Sequence, residues 1–401
     1  MLLAFGQSNA DVHHAGPRLA TDIENRFPIV MPNDGYGIRG PMGRKRTKSI
    51  TGFDHVSKAP DEIQSLLVSA AARLLHDLPE QKPDRVIVRS EAKGGRRFWG
   101  VSKGEIAVDG IFRTLDGSFS PIFLSLLRTI DECIIAARED GAPIRTICIA
   151  WLHGESDRAM ERTDYIQNFL SLRDEVENFV DERGLELRWC LVQPAGTGAD
   201  GHGNRWPNRL SMMDLAQQHE NIDLMLSGYA YELADASHFS ALGKLRLGEN
   251  FGRVLAQRLA GERSSELHPI RASLEGMHIL LEFSSSHPLV IDQDSIPAPE
   301  LSVFGFSVDG CSGLSIMDVE VVGEKGVRLV LDRVPEPSSL IINYAYQPYR
   351  RDNPNIAREY PVGRGCLRTE FEVQSIFDPG VKLYDWVPGF SVAFRELAEG
   401  V

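Results

Sequence analysis

The sequence predicts an α/β protein with a parallel sheet, followed by a region of antiparallel strands. Over residues 1–260, short apolar runs of strand length alternate with segments whose apolar residues recur at helical spacing. Short buried strands that alternate with helices are typical of a parallel sheet covered on both faces. After about residue 261 the helical spacing disappears and a period of two replaces it, which predicts antiparallel strands.

Five apolar runs are predicted as strands of the parallel sheet. They are Leu2–Phe5, Arg85–Arg89, Thr146–Ala150, Leu187–Val192 and Ile222–Leu226. Apolar residues at three- and four-residue steps predict the helices between and after them. These helical patterns cover Asp61–Leu78, Phe119–Ile134, Tyr165–Glu182 and Leu242–Leu259. Segments 22–60 and 92–118 have no clear period and are rich in turn-forming residues, so they are predicted as long loops.

The second region begins after a short polar stretch, Gly261–Ser265, which is predicted as a linker. Apolar and polar residues then alternate along Met277–Phe283 and Val327–Leu331, and turn residues separate the runs. This pattern is typical of a small antiparallel β-sandwich. The chain is therefore predicted to have two domains, with residues 1–262 in the first and residues 263–401 in a β-sandwich accessory domain.

Composition and charge narrow the class of protein. The chain has 401 residues, of which 42% are hydrophobic, and a formal net charge of −13. A chain this acidic is a poor binder of nucleic acid, and its one basic run is Arg44–Lys48. Its five cysteines lack C-x-x-C spacing, which favours free thiols in a reducing compartment.

No apolar stretch is long enough to span a membrane, and no signal-peptide pattern precedes the first strand. We therefore expect a cytoplasmic protein that binds neither membrane nor nucleic acid. The sequence does not indicate an oligomeric state.

A serine follows the first predicted strand in a short polar turn. The turn is Gly6-Gln7-Ser8-Asn9, directly after the apolar run Leu2–Phe5. A serine hydroxyl needs a base within hydrogen-bond reach, and the base needs an orienting acid. Open α/β sheets bind their ligands at the carboxyl ends of the strands, where this turn lies. Ser8 is therefore the predicted nucleophile, and its backbone N–H is a predicted oxyanion donor.

Asp235 and His238 are the predicted acid and base. Both belong to a polar turn between the fifth predicted strand and the last helix. A carboxylate three residues before a histidine in a turn can contact one imidazole nitrogen and so fix the tautomer of the ring.

A third polar turn, Trp151–Asp157, follows the strand Thr146–Ala150. It contains His153, whose ring N–H is expected to donate to the oxyanion of the reaction. A glycine pair, Gly94-Gly95, follows the second predicted strand. Glycine permits close approach of the backbone to a ligand, so the pair is expected to offer another N–H at the same edge of the sheet.

Together and in this order, the four segments resemble the SGNH-hydrolase superfamily. Within it, the chain resembles the carbohydrate esterases grouped with sialate O-acetylesterases and family 6 acetylxylan esterases. The segments that carry the resemblance are Gly6–Asn9, Gly94-Gly95, Trp151–Asp157 and Asp235–His238, and they cover about residues 1–260. The resemblance implies a flavodoxin-like three-layer α/β/α sandwich and removal of O-acetyl groups from carbohydrates, without a metal or another cofactor.

The resemblance also implies roles for individual residues. The triad would be Ser8, His238 and Asp235, and the oxyanion hole would come from Ser8, Gly95 and a side chain of the third segment. Here the chain departs from the family, since His153 stands where a glutamine is usual. A neutral His153 would donate one N–H in its place, with a dependence on pH, or it would contact the substrate instead. Gln7 and Asn9 belong to the first segment as supporting residues. Some relatives use the acid of the third segment in the triad, so Glu155 remains an alternative to Asp235.

Two other functions remain open. An esterase or thioesterase of lipid or acyl-carrier substrates would need a long apolar pocket, whereas loops 33–60 and 92–118 are polar and glycine-rich. An inactive carbohydrate-binding protein on a hydrolase scaffold is disfavoured because the three triad residues are all present.

The charged residues near the predicted site suggest its ligands. Four arginines are expected to be able to hold an acidic sugar such as a sialic or uronic acid, namely Arg18, Arg39, Arg96 and Arg97. No metal is expected, because the histidines and cysteines lack ligand spacing and the adjacent His13 and His14 cannot easily face one ion.

Overall fold

The computed structural model describes residues 1–11, 16–35, 37, 49–59, 64–78, 83–195, 206–235, 237–262, 267–296, 303–346 and 364–398. Its first nine strands are β1 (Leu2–Gly6), β2 (Ile29–Pro32), β3 (Phe53–His55), β4 (Val86–Ser90), β5 (Val101–Lys103), β6 (Ile106–Val108), β7 (Thr146–Leu152), β8 (Glu186–Gln193) and β9 (Ile222–Ser227). Seven of them form one sheet in the order β3-β2-β4-β1-β7-β8-β9. All neighbours in it are parallel except β2 and β3, and β5 pairs with β6 as a separate hairpin.

Helices cover both faces of this sheet. The helices of the first region are α1 (Thr21–Glu24), α2 (Leu66–Asp77), α3 (Pro121–Glu139), α4 (Arg162–Asp181), α5 (Pro207–Gln218) and α6 (Ala241–Leu259), and α7 (Phe394–Ala398) belongs to the C-terminal region. Successive side chains of a strand point to opposite faces. Leu2 and Ala4 of β1 accordingly join a buried apolar cluster with residues of α2 and α6. Leu3 and Phe5 join a different cluster with residues of α3, α4 and α5.

The C-terminal region is built from antiparallel strands. They are β10 (His268–Glu275), β11 (His278–Ser284), β12 (Leu289–Ile291), β13 (Phe306–Asp309), β14 (Ile316–Val322), β15 (Gly326–Leu331), β16 (Ile341–Tyr344), β17 (Leu367–Gln374), β18 (Lys382–Trp386) and β19 (Phe390–Ala393). They form three sheets, in the orders β10-β11-β15-β14, β12-β17-β18 and β13-β16-β19. The antiparallel strand content is confirmed, while the β-sandwich and the boundary after residue 262 stay predictions.

The two regions pack against each other over a buried surface. The apolar cluster on the α2 and α6 face continues into the C-terminal strands. Gln193, at the end of β8, exchanges two hydrogen bonds of 2.9 Å with the backbone of Gly389. The hydroxyl of Tyr229 donates to the backbone oxygen of Val387 at 2.6 Å. Buried polar groups of the first region thus find their partners in the second.

The five predicted strands are confirmed, with bounds that move by two residues or fewer. The prediction of loops over 22–60 and 92–118 was wrong in part, because the first segment contains α1, β2 and β3 and the second contains β5 and β6. These strands have only three or four residues, too few for a period to show. Helix α5 was missed as well, since its sequence is rich in polar residues. Among the described residues, no helix is long and apolar enough to cross a membrane.

Candidate active site

The turn that carries Ser8 is shaped by a close contact between β1 and β7. Gly6 has a φ of +139°, and a Cβ there would lie 2.1 Å from the backbone oxygen of Leu152. The N–H of Gln7 donates to the same oxygen at 2.9 Å. Only glycine fits this position, because a side chain would collide with the neighbouring backbone. The contact fixes the direction in which the chain leaves the sheet and presents Ser8 at its carboxyl edge.

Ser8, His238 and Asp235 form a continuous chain of hydrogen bonds. Ser8 Oγ lies 2.9 Å from His238 Nε2, and His238 Nδ1 lies 2.7 Å from Asp235 Oδ2. A carboxylate can only accept a hydrogen bond, so Nδ1 carries the proton and Nε2 is left to accept from the serine hydroxyl. This is the tautomer that a general base needs.

Backbone groups hold the Asp235 carboxylate in place. Its Oδ1 accepts hydrogen bonds from the N–H groups of Ser237 and His238, each at 2.8 Å. Burial alone raises the pKa of Asp235, but the hydrogen bonds from Ser237 and His238 outweigh it, and the net shift is downward. The carboxylate is therefore ionised at neutral pH and can stabilise a protonated His238.

Glu155 lies next to the triad but does not take the place of Asp235 beside His238. Its Oε1 accepts a hydrogen bond of 2.7 Å from the amide of Asn9, and its Oε2 accepts one from Gln7. Burial raises the pKa of the Glu155 carboxyl, and the hydrogen bonds from Asn9 and Gln7 oppose that shift only in part. Glu155 therefore holds the two residues that flank Ser8.

Asn9 connects this acid to the turn that carries the base. Its amide nitrogen also donates to the backbone oxygen of Ser237 at 2.8 Å. Its amide oxygen accepts from the N–H of Phe239 at 3.2 Å. Since Ser237 and Phe239 are the neighbours of His238, Asn9 fixes the position of His238 on both sides. Sequence reasoning placed Asn9 in the first segment, but this bridge joins residues far apart in the chain and has no local signal.

The glycine pair lies beside Ser8. A Cβ at Gly94 would be 3.4 Å from the Cβ of Ser8, so the two backbones are close. The N–H of Gly94 donates to Asp11 Oδ2 at 3.3 Å. Gly95 has a φ of +68°. No hydrogen-bond acceptor for the N–H of Ser8 or of Gly95 occurs within the part of the chain that the structure describes.

His153 occupies a different position from the one expected. Its side chain is 1% exposed, with Nε2 at 3.2 Å from the backbone oxygen of Arg96 and Nδ1 at 3.3 Å from the hydroxyl of Tyr165. Burial lowers the pKa of His153 to about 3, so the ring is neutral and has one N–H. A carbonyl oxygen only accepts, so that N–H lies on Nε2 and donates to Arg96. This corrects the expectation that His153 donates directly to the oxyanion.

The ring of His153 belongs to an aromatic cluster beneath the glycine loop. Its centroid lies 4.7 Å from that of Phe98 and 4.8 Å from that of Trp151. Asp157, also buried, accepts a hydrogen bond of 2.8 Å from the N–H of Phe98. Burial raises the pKa of the Asp157 carboxyl to about 6. The third segment therefore packs under the loop that follows β4 and supports it.

The arginines expected to hold an acidic sugar differ in exposure. Arg18 is buried, pairs with Glu24 at 3.0 Å and donates to a backbone oxygen, which corrects its assignment to the substrate. Arg96 is half-buried and donates to the backbone oxygen of Asp109 at 3.2 Å. Arg97 has a side chain that is 57% exposed, and its Nε lies 4.0 Å from Asp157.

Two further expectations concern residues outside the described ranges. Arg39, His13 and His14 all lie there. Within the described ranges, no cluster of three or more His, Cys, Asp or Glu side chains could hold a metal ion.

Comparison with solved structures identifies the fold. A carbohydrate acetylesterase from Xanthomonas citri matches 87% of this chain and 75% of its own, with 14% identity and a TM-score of 0.57. The chain shares the fold of that esterase. Since residues 1–262 are only about two thirds of the chain, a match of 87% extends into the C-terminal strands. At 14% identity this likeness shows a shared fold, which agrees with the α/β sheet and the additional antiparallel strands that the sequence predicts.

Other solved structures match less of the chain. NanS matches 65% of this chain and 98% of its own, with 16% identity and a TM-score of 0.46. A protein from Arabidopsis thaliana matches 65% of this chain and 97% of its own, with 14% identity and a TM-score of 0.40. No family model and no curated protein matches the chain.

Proposed function

We propose that this protein is a serine esterase of the SGNH type that hydrolyses O-acetyl esters on carbohydrates. The hydrogen-bond chain from Asp235 through His238 to Ser8 carries the proposal, because it is the arrangement that activates a serine hydroxyl. The shared fold with a carbohydrate acetylesterase supports it. The proposal includes a flavodoxin-like α/β/α fold for the catalytic domain. It also includes a β-sandwich formed by residues 263–401.

In the first half of the reaction, Ser8 Oγ attacks the carbonyl carbon of the acetyl ester while His238 Nε2 takes its proton. The tetrahedral intermediate then collapses, and His238 gives that proton to the departing sugar oxygen. In the second half, water attacks the acetyl-serine while His238 takes its proton. Collapse of the second tetrahedral intermediate breaks the bond to Ser8 Oγ, which receives that proton from His238, and acetic acid leaves. Throughout, the ionised Asp235 stabilises the imidazolium and keeps its orientation.

The negative charge of the intermediate needs hydrogen-bond donors already in position. The N–H groups of Ser8 and Gly95 are our candidates, since both lie in the loops that meet at Ser8. His153 acts on this site through Arg96, whose backbone oxygen it binds. Because Arg96 directly follows Gly95, this bond fixes the part of the loop that carries the donor. His153 is thus a positioning residue in the proposed mechanism.

Asp235 is the acid of the proposed triad, and Glu155 has a different task. Its two hydrogen bonds restrain Gln7 and Asn9, and Asn9 in turn restrains the turn of His238. Glu155 therefore keeps the nucleophile and the base at a fixed separation. An acid with this role affects the geometry of the reaction without touching the reacting atoms.

For the substrate we propose an acetylated glycan with an acidic sugar, such as O-acetylated sialic acid or an acetylated uronic acid. The exposed guanidinium of Arg97 lies two residues after Gly95 and is suited to bind a carboxylate.

The test is acetate release by wild type and Ser8→Ala on a panel of substrates. The panel contains acetylated sialic acids, acetylated xylan, acetylated bacterial polysaccharides and an aryl acetate, with a long-chain aryl ester for comparison. We expect wild type to release acetate from at least one glycan and the variant to release none above background. Activity on the long-chain ester alone would overturn the carbohydrate assignment, and no activity on any ester would indicate an inactive carbohydrate-binding protein.

A further inference from the structure

An exposed tryptophan follows the glycine loop. Trp99 is 45% exposed, whereas Phe98 before it is fully buried in the aromatic cluster. Arg97, one residue earlier, is exposed again. Arg97 and Trp99 thus both reach the surface, on either side of the buried Phe98 in the sequence. Large aromatic side chains exposed in this way are candidates for ligand contact.

The ring of Trp99 is held in one orientation. Its Nε1–H donates to Asn168 Oδ1 of α4 at 2.6 Å. The backbone on either side is anchored as well, because the N–H of Phe98 binds Asp157 at 2.8 Å and that of Gly100 binds the backbone oxygen of Arg113 at 2.8 Å. With its one polar atom satisfied, the indole presents only hydrocarbon to solvent. A ring fixed before binding loses little conformational freedom when a ligand stacks on it.

This ring lies close to the nucleophile along the chain. The backbone of Gly94 lies close to Ser8, and the five peptide units from Gly94 to Trp99 span at most about 18 Å between their Cα atoms. The segment also lies at the carboxyl edge of the sheet, where the triad lies, since it follows β4.

We propose that Trp99 and Arg97 form a saccharide subsite that binds a sugar unit neighbouring the acetylated one. The inference rests on the proposed function and deepens it, because it makes the substrate an oligosaccharide or polysaccharide. The C–H face of a sugar ring is apolar and stacks on an indole, while the hydroxyl or carboxylate groups at its rim bind a guanidinium.

The surroundings favour a sugar over a lipid or an apolar protein surface. The neighbouring hairpin β5–β6 exposes Ile106, but also Ser102, Lys103 and Glu105. The apolar surface near Trp99 is therefore interrupted by charge, whereas lipid or protein docking sites of this kind need a contiguous apolar patch.

The first experiment measures binding without turnover. Ser8→Ala is titrated with xylohexaose and with trimeric sialic acid, and the dissociation constant is compared with those of Ser8→Ala/Trp99→Ala and Ser8→Ala/Trp99→Phe. We expect Trp99→Ala to weaken binding of one probe by about tenfold, as for the loss of an aromatic anchor, and Trp99→Phe to retain most of it. Met317→Ala, which removes a 65% exposed side chain from β14, is the matched control and should leave binding unchanged.

The second experiment separates this subsite from the catalytic site. Trp99→Ala should raise KM for the acetylated oligosaccharide by about tenfold and leave kcat/KM for an aryl acetate unchanged, because the aryl acetate is too small to reach the subsite. Equal binding and equal KM in wild type and Trp99→Ala, or no binding of either probe by Ser8→Ala, would overturn the subsite.

The two proposals fail in different ways. If wild type releases no acetate but the Ser8→Ala variant binds the probe through Trp99, the esterase proposal fails and the saccharide subsite stands. If acetate is released equally well from the oligosaccharide by wild type and Trp99→Ala, the esterase stands and the subsite fails.

Discussion

Two turns of this molecule pair a histidine with an acid, and their environments differ. In the turn after β9, the side chains of Asp235 and His238 are 47% and 24% exposed, and His238 Nε2 faces Ser8. In the turn after β7, His153 and Asp157 are both buried, and the single N–H of His153 donates to a backbone oxygen. Only in the first turn does a ring nitrogen face a serine hydroxyl from which it can accept a proton.

The pKa shifts of the acids in the two turns therefore have opposite directions. Hydrogen bonds lower the pKa of Asp235 despite its partial burial, and the acid can stabilise a cation beside it. Burial lowers the pKa of His153 to about 3 and raises that of Asp157 to about 6, and both shifts disfavour the charged forms. With so low a pKa, His153 is a weak base, and its Nδ1 faces the hydroxyl of Tyr165 and not Ser8, so it is not placed to take the proton of the serine. Exposure and the direction of the ring N–H therefore separate the proposed catalytic pair from the supporting pair.

The largest expected effect tests the nucleophile. Ser8→Ala should lower kcat for an aryl acetate by about 10³-fold or more, because loss of a triad nucleophile removes the whole covalent route. Ser156→Ala, a serine substitution in the supporting turn, should retain most of the activity. Circular dichroism and thermal melts check that both variants fold. A folded Ser8→Ala variant with more than about a tenth of wild-type turnover would remove Ser8 from the mechanism.

The next effect compares the two acids. Asp235→Asn should lower kcat by about 10³–10⁴-fold, because the amide no longer holds His238 in the tautomer that accepts from Ser8. Glu155→Gln should lower kcat by about tenfold or less, since it disturbs only the bonds to Gln7 and Asn9. Steady-state kinetics on both folded variants measure the difference. The reverse order would assign the triad acid to Glu155.

A smaller effect is expected at His153. His153→Ala should lower kcat by roughly tenfold and also lower the melting temperature, because the loop at Gly95 loses its anchor and a buried ring leaves a cavity. His153→Gln should recover part of both, since its amide N–H can reach the Arg96 oxygen. A loss of about 10²–10³-fold in kcat with unchanged stability would instead indicate a direct oxyanion donor.

The smallest effect concerns stability in acid. The unfolded chain binds a proton at His153 below about pH 6.5, whereas the folded protein does not until about pH 3, so folding stability falls as the pH drops through this range. At about pH 4.5 the loss is on the order of 3 kcal/mol. Urea melts at about pH 7 and 4.5 should therefore show His153→Gln gaining stability relative to wild type in acid.

Asp157 titrates in the same range, with the opposite sign. Its raised pKa makes the folded state bind a proton more readily, so it adds stability as the pH falls toward the ordinary range of an aspartate. The residue is present in wild type and in His153→Gln, so the difference between the two reports mainly on His153. An unchanged difference at the two pH values would contradict the neutral, buried state of His153.

The sequence predicted the parallel strands and the turns that follow them, because buried strands and polar turns leave local signals. The protonated nitrogen of His153 and its hydrogen-bond partners depend on residues 96 and 165. No local sequence pattern indicates that these residues contact His153. The hydrogen bonds of Asn9 and the burial of Arg18 against Glu24 could not be predicted from the sequence for the same reason. Local periodicity thus predicts which strand, helix or turn carries a side chain. The contacts of that side chain depend on packing between residues that are distant in the sequence.

The bonds between Gln193 and Gly389 have a consequence for modularity. Gln193 ends a strand of the parallel sheet. Both polar atoms of its side-chain amide nevertheless form hydrogen bonds with the backbone of Gly389, near the C-terminal end of the chain, and its nitrogen also donates to the backbone oxygen of Arg209. Removing the C-terminal strands would take away the C-terminal hydrogen-bond partners of the Gln193 amide and the Tyr229 hydroxyl. It would also expose to solvent the apolar cluster that the two regions share. We therefore expect the C-terminal strands to unfold together with the parallel sheet, and calorimetry of the whole chain should record one transition.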